Sequence, residues 1–199
     1  DPGPLSPLKA LVQSLEHYVV RRNAHRTVIA GYPWFLDWGR DTLIFARGLI
    51  QAEKIEEVHS ILAQLASYED KGTLPNMIRG GDATNRDTSD APLWFCRVLL
   101  ELVEKEEDWG FMDHKLEGRC IRDVVASIVR NTVEGTPMGV RMDPESGLLF
   151  SPAHFTWMDT NHPAGTPREG YPIEIQALWH AALSLMARMV SDDQRDRFH

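Results

Sequence analysis

Leu8, Leu11, Val12, Leu15, Tyr18 and Val19 recur at three- and four-residue spacing, which predicts an amphipathic helix over about residues 7–21. Gly31, Pro33 and Gly39 then break the period, so 22–40 reads as a loop crowded with aromatic residues. A second helix, about 42–52, is almost wholly apolar; Ile55, Val58, Ile61, Leu62 and Leu65 mark one face of a third, about 54–68. Gly72, Pro75, Gly80 and Gly81 make 71–84 another loop. Trp94, Phe95, Val98, Leu99 and Leu102 predict a fourth helix, about 88–106. A fifth, about 114–134, rests on Ile121, Val124, Val125, Ile128 and Val129. Residues 135–170 are loop-rich, with a short hairpin expected where 140–142 and 148–150 flank Asp143-Pro-Glu-Ser-Gly147. The sixth helix, about 172–190, is apolar on nearly every side and is expected to be buried on several faces.

The first, third and fifth helices are amphipathic, whereas the second, fourth and sixth are more apolar or aromatic. An outer and an inner layer produce that alternation, so the expected fold is all-α, with concentric helical rings and no convincing sheet.

Charge narrows the function. Twenty-one Lys and Arg against 29 Asp and Glu give a net charge of -8, and no basic run exists to meet a phosphate backbone. Nucleic acid is excluded as a partner, and an acidic enzyme acting on a neutral substrate such as a sugar or alcohol fits. No stretch approaches the ~18 consecutive apolar residues of a membrane span, so no membrane partner is expected. Cys96 and Cys120 could form one disulfide, but lie in apolar or helical stretches and read as buried free thiols, which suits a cytoplasmic location. The chain opens Asp-Pro-Gly-Pro, without an initiator Met or a signal-peptide pattern, and is read as a piece of something longer or trimmed at its start.

Candidate chemistry sits in three loops. In Ala30-Gly-Tyr-Pro-Trp-Phe-Leu-Asp-Trp-Gly-Arg-Asp-Thr42, the rings of Tyr32, Trp34, Phe35 and Trp38 suit the apolar face of a sugar, and Asp37, Arg40 and Asp41 suit its hydroxyls. The plainer reading has Asp41 or Thr42 cap the second helix while Arg40 neutralises Asp37. In the second loop, Asp82, Asp87 and Asp90 suggest calcium, but their spacing does not match an EF-hand and no metal is assigned. Thr88, Ser89 or Asp90 suit a helix cap, leaving Asn85, Arg86 and Asp87 to meet a hydroxylated ligand. In the third, Asp159 follows Trp157-Met158, and apolar surroundings there would raise a carboxyl pKa toward that of a general acid. His154 and His162 flank it too loosely to assign zinc. Glu174, just after Pro172, either favours the sixth helix's dipole or binds ligand.

Five segments stand in an order that resembles one family. They are Ala30 to Thr42, Leu74-Pro-Asn76, Asn85-Arg-Asp-x-x-Asp-Ala-x-x-Trp-Phe95, Thr156-Trp-Met-Asp159 and Thr166-Pro-Arg-x-Gly-x-Pro-Ile-Glu-Ile-Gln-Ala-Leu-Trp179. Together they resemble the glucosidase domain of glycogen debranching enzyme, the amylo-alpha-1,6-glucosidase family, over about residues 28–185. That resemblance implies a six-fold double-ring (α/α)6 toroid, of which six helices over 1–199 would be the N-terminal half. It implies inverting hydrolysis of α-1,6-linked glucose at branch points of glycogen or a similar α-glucan, without a cofactor. By motif, Asp159 matches the general acid, and Trp38, Arg40 and Asp41 match the terminal-glucose pocket. Asn85, Asp87, Asp90, Trp157, Arg168 and Glu174 match further pocket positions. The family's general base is expected downstream of His199, so this chain alone is expected to be inactive, and its apolar inner helix faces to be covered by the rest of the toroid or by self-association. A non-catalytic carbohydrate-binding module and a helical scaffold are the alternatives.

Overall fold

The computed structural model describes residues 6–160 and 165–196. The first helix, α1 (Pro7–Leu15), is capped by Ser6, whose Oγ accepts from the Lys9 amide, with Pro7 in the opening position. It buries none of its residues and ends earlier than its spacing predicts. Tyr18 and Val19 keep the helical period, but Val19–Arg22 (β1) instead pairs antiparallel with His25–Val28 (β2), Arg22 opposite His25. Adjacent β-branched Val19 and Val20 suit a strand, and Asn23 accepts the left-handed conformation (φ 52°) that the two-residue turn requires.

The next elements are β3 (Asp37–Trp38), α2 (Gly39–Gln51), α3 (Ile55–Ser67), β4 (Met77–Ile78) and α4 (Ala91–Glu106). A 3-10 turn at Gly110–Asp113 and a small hairpin, β5 (Lys115–Leu116) with β6 (Arg119–Cys120), replace the first turns expected of the fifth helix, so α5 spans Ile121–Glu134. Gly118 (φ 75°) makes that hairpin turn. The hairpin expected near 140–150 is present as β7 (Arg141–Met142) and β8 (Leu149–Phe150), followed by α6 (Ile173–Asp196). The chain is therefore predominantly helical, but its connections carry four two-stranded sheets, of which only the β7–β8 hairpin was expected.

Helices α2, α4 and α6 form a row, with α3 and α5 packed against it. α4 packs between α2 and α6, while α3 packs on α2 and β2, and α5 on α6; α3 and α5 also touch each other. Leu43, Leu49, Ile50, Ile61, Leu62, Leu65, Phe95, Leu99, Leu102, Val125, Ile128 and Leu185 form the centre of one continuous core. Each such side chain contributes roughly 1.5–3 kcal/mol by leaving water. Amphipathic α3 is covered more fully than its pattern suggests, since Ile61 to Ala66 are all buried. α6 shows the reverse, with Ile175, Leu178, Trp179, Ala182, Leu185 and Met189 buried but Ile173, Leu183 and Val190 exposed. Leu8 and Leu11 of α1 and Ile44 of α2 are exposed as well. Charged pairs bridge the α2–α4 and α4–α6 seams: Arg47 and Arg97 both pair with Glu101, and Arg188 with Glu104. The apolar surface expected along the row lies at its edges.

Behind the row, Glu69 is fully buried and accepts from Arg119, the Gly72 amide (2.7 Å) and Ser127 Oγ (2.7 Å), tying the end of α3 to α5. Both cysteines are free, but only Cys96 is buried; Cys120 is partly exposed, its Sγ 3.2 Å from Asp123 at the start of α5. Burial pushes the Cys96 thiol up to about 12. The thiolate is the reactive form, so a thiol reagent at about pH 8 should titrate one cysteine promptly and the other only in denaturant. Prompt reaction of both, or a Cys120→Ser variant that still reacts, would contradict this placement.

Candidate active site

Two features set the site's floor. β3 pairs with β4, Asp37 opposite Ile78 and Trp38 opposite Met77, which draws the 68–86 loop beside the aromatic loop. Gly39 then enters α2 with its amide donating to Asn76 O at 2.9 Å. A Cβ on Gly39 would lie 2.6 Å from Pro75 O, so this close approach of two backbones requires glycine. Arg86 locks the same loop from beneath, donating to Thr73 O, Thr73 Oγ1 and Tyr68 O. It is occupied in holding backbone, which removes it from the possible ligand contacts.

Arg40, in the first turn of α2, joins three loops. Its Nε lies 2.5 Å from Asp90 Oδ2, Nη2 bonds Asp90 Oδ1 (3.3 Å) and Thr156 O (2.9 Å), and Nη1 reaches Asp159 Oδ2 (3.3 Å). Arg40 therefore does not neutralise Asp37; Arg22 of β1 does, at 2.8 Å, with Thr42 Oγ1 3.4 Å from the other oxygen. Burial is the main influence on Asp37, and it holds that carboxyl above its ordinary range despite these partners. Desolvation lowers the Arg40 pKa, but the hydrogen bonds and charges of Asp90 and Asp159 outweigh it and the net shift is upward.

Asp90 is the N-cap residue of α4, yet its side chain serves Arg40 and Thr88 (2.7 Å) while Thr88 Oγ1 accepts the Ala91 amide. Asp41 reaches the surface; partial desolvation raises its carboxyl, Arg40 opposes that, and the negative charges of Asp159 and Asp90 add to it. Asp159 differs from the apolar surroundings expected of it. Its side chain is a quarter exposed and faces the Arg40 guanidinium, and Trp157 is itself 57% exposed. Among the described residues its Oδ1 carries no hydrogen bond.

Arg168, at φ 52°, binds Glu174 in the first turn of α6 through both terminal nitrogens and stands 6.0 Å from the Trp157 ring centre. Those bonds hold Glu174 below the usual carboxylate range although desolvation works against them. The third loop is anchored to the second by Ser89 N to Phe155 O (2.8 Å) and Ser89 Oγ to Ser151 Oγ (2.8 Å). Arg40, Asp41, Asp90, Trp157, Asp159, Arg168 and Glu174 are thus brought to one end of the row, where α2, α4 and α6 all begin. Three helix N-termini favour negative side chains there. Trp38 is half-buried beside them, whereas Asn85 and Asp87 lie exposed on the rim, where Asn85 Oδ1 accepts the Asp87 amide at 3.2 Å.

Sequence reasoning passed over Asn76 and Thr156 as participants. Asn76 is buried, with Oδ1 unpartnered among the described residues, and Leu74-Pro-Asn76 was its only signal. Thr156 acts through its carbonyl, which no side-chain pattern reveals. Among the described residues no three His, Cys, Asp or Glu side chains are placed to hold a metal ion. His162 of the weak zinc pattern lies outside them. No described helix is long and apolar enough to cross a membrane.

The family model for amylo-alpha-1,6-glucosidase matches residues 12–198, a span that includes every residue of this cluster. The chain belongs to the amylo-alpha-1,6-glucosidase family. The family is one of glycoside hydrolases, and membership suggests a debranching activity on a glucan. A comparison with curated proteins returned no match.

Proposed function

We propose that this chain forms the terminal-glucose pocket and the acid side of a debranching glucosidase, within the N-terminal half of an (α/α)6 toroid. The observation that carries this reading is the Arg40 junction, which gathers Asp159, Asp90 and the 156–159 backbone beside Asp41. Asp90 has both oxygens engaged and is buried, so it orients Arg40 and does not move protons. Asp159, with one oxygen loosely held and the other without a partner among the described residues, is the carboxyl available to a substrate. As an acid it protonates the glycosidic oxygen while the bond from that oxygen to the anomeric carbon breaks. Water, deprotonated by a base from outside this chain, adds to the opposite face of that carbon. Asp41, Arg40 and Trp38 hold the glucose, whose neutral hydroxyls match a site where acids offset the helix dipoles.

The direct test is proton NMR of an oligosaccharide with one α-1,6-glucosyl branch, incubated with the full-length product of the gene. β-Glucose should appear first, as inversion demands; α-glucose first, or no glucose, would overturn the reading. Asp41→Asn should weaken glucose binding by about ten- to a hundredfold, the worth of charged hydrogen bonds. Titration calorimetry reads that change.

A further inference from the structure

The end of β2 and the start of α2 share a cavity of about 260 Å³: the chain from Val28 to Gly31 lines it together with Arg40, Asp41 and Ile44. Bonds that join these two segments converge on Asp37. Thr42, next to Asp41 in α2, shares its hydroxyl between Val28 O (3.3 Å) and Asp37 Oδ1 (3.4 Å). Arg22 of β1 donates to the other carboxylate oxygen, Oδ2, at 2.8 Å, and to Gly80 O (2.7 Å) in the loop after β4. Asp37 therefore stands between the hairpin and α2 with a partner in each. It is 1% exposed, so no sugar reaches it.

An ion pair this deep is a poor source of stability, because its attraction barely offsets the hydration both charges lose. Here burial outweighs Arg22 and Thr42 and holds the Asp37 carboxyl above its ordinary range, so folding disfavours its charged form. Apolar groups of similar volume would serve the core as well. What the carboxylate supplies and packing does not is direction, since hydrogen bonds fix both distance and angle. That direction bears on one place, because Thr42 is bonded across to Val28 at the cavity whose lining includes Asp41. We infer that Asp37 is a positioning residue: through Arg22 and Thr42 it sets the spacing between β2 and α2, and with it the width of the cavity in which glucose meets Asp41. This role rests on the glucosidase reading and adds to it a residue that never touches substrate.

Titration calorimetry with glucose, and turnover of an α-1,6-branched oligosaccharide, test it on the full-length gene product. Thr42→Val should bind glucose about three- to tenfold more weakly, the worth of one hydrogen bond, while Thr42→Ser keeps the hydroxyl and stays within about twofold of wild type. The double variant Arg22→Met with Asp37→Leu replaces the ion pair by apolar groups, and its melting temperature should stay within about 4 °C of wild type. Its KM should rise about tenfold or more with kcat changed by less than about threefold, since Asp159 keeps its contact with Arg40. Wild-type glucose affinity in Thr42→Val and in the double variant, with wild type itself binding glucose, overturns the positioning role alone. No glucose binding by wild type overturns the glucosidase reading with it. An equal loss in Thr42→Ser, or a double variant that no longer folds, makes the tie structural and overturns the assignment. So does a fall in kcat at unchanged KM, which would place the effect on the acid and not on the glucose pocket.

Discussion

Replacing Arg40 with methionine should destabilise the fold by about 3–5 kcal/mol, the cost of removing one partner from a buried ion pair. The side chain of Asp90 is only 5% exposed, and Arg40 supplies two of its hydrogen bonds. Methionine fills much of the same volume but leaves that carboxylate with Thr88 alone, and it frees the Thr156 carbonyl and Asp159. Urea unfolding followed by circular dichroism should show a clearly lower midpoint with an unchanged slope. The double variant Arg40→Met with Asp90→Asn should recover a substantial part of the loss, because the uncompensated buried charge is gone. A single variant within about 0.5 kcal/mol of wild type would show that the junction is decorative.

Asp159→Asn should behave in the opposite way. Its contact with Arg40 is 3.3 Å long and a quarter of the side chain is exposed, so stability should fall by no more than about 1 kcal/mol. Turnover on the branched oligosaccharide by the full-length gene product should drop by about 10²–10⁴-fold, the usual contribution of a positioned acid. Sugar affinity should be nearly retained, since asparagine keeps the shape and one acceptor. Retained turnover in the folded variant would remove Asp159 from the acid role. The pair of variants separates architecture from chemistry: one residue is costly to the fold, the other to the reaction.

The residues that carry the site were legible in the sequence because chemistry concentrates in short segments there. Trp38-Gly-Arg-Asp41 and the stretch around Glu174 stand at helix starts, where the periodic pattern resumes after a loop, and Thr156-Trp-Met-Asp159 lies in the loop that leads to α6. Partnerships were not legible. Arg40 and Asp37 are three apart and the plainer reading paired them, whereas the actual partners of Arg40 lie 50 and 119 residues away. Local spacing carries no information about such contacts. The apolar surroundings inferred for Asp159 failed for a related reason: Trp157 is its neighbour in sequence but turns its ring outward toward Arg168. The β1–β2 hairpin escaped notice because Tyr18 and Val19 prolong a helical period by coincidence, and a two-residue turn at Asn23-Ala24 leaves no glycine to betray it. The alternation between amphipathic and apolar helices anticipates that α2, α4 and α6 share a row, with α3 and α5 against it, but not that α1 buries none of its residues.

α2, α4 and α6 all start at the site, so every residue of chemical interest is collected at one pole. The joint between α2 and α3 is only Ala52 to Lys54, and it lies at the other pole, some 13 helical residues and about 20 Å from Gly39. A reporter or an affinity handle inserted there would ride on the molecule without reaching the sugar. Lengthening the 156–172 connection by the same amount would rebuild the pocket itself. The fold thereby separates where the chain can be edited from where it must be read.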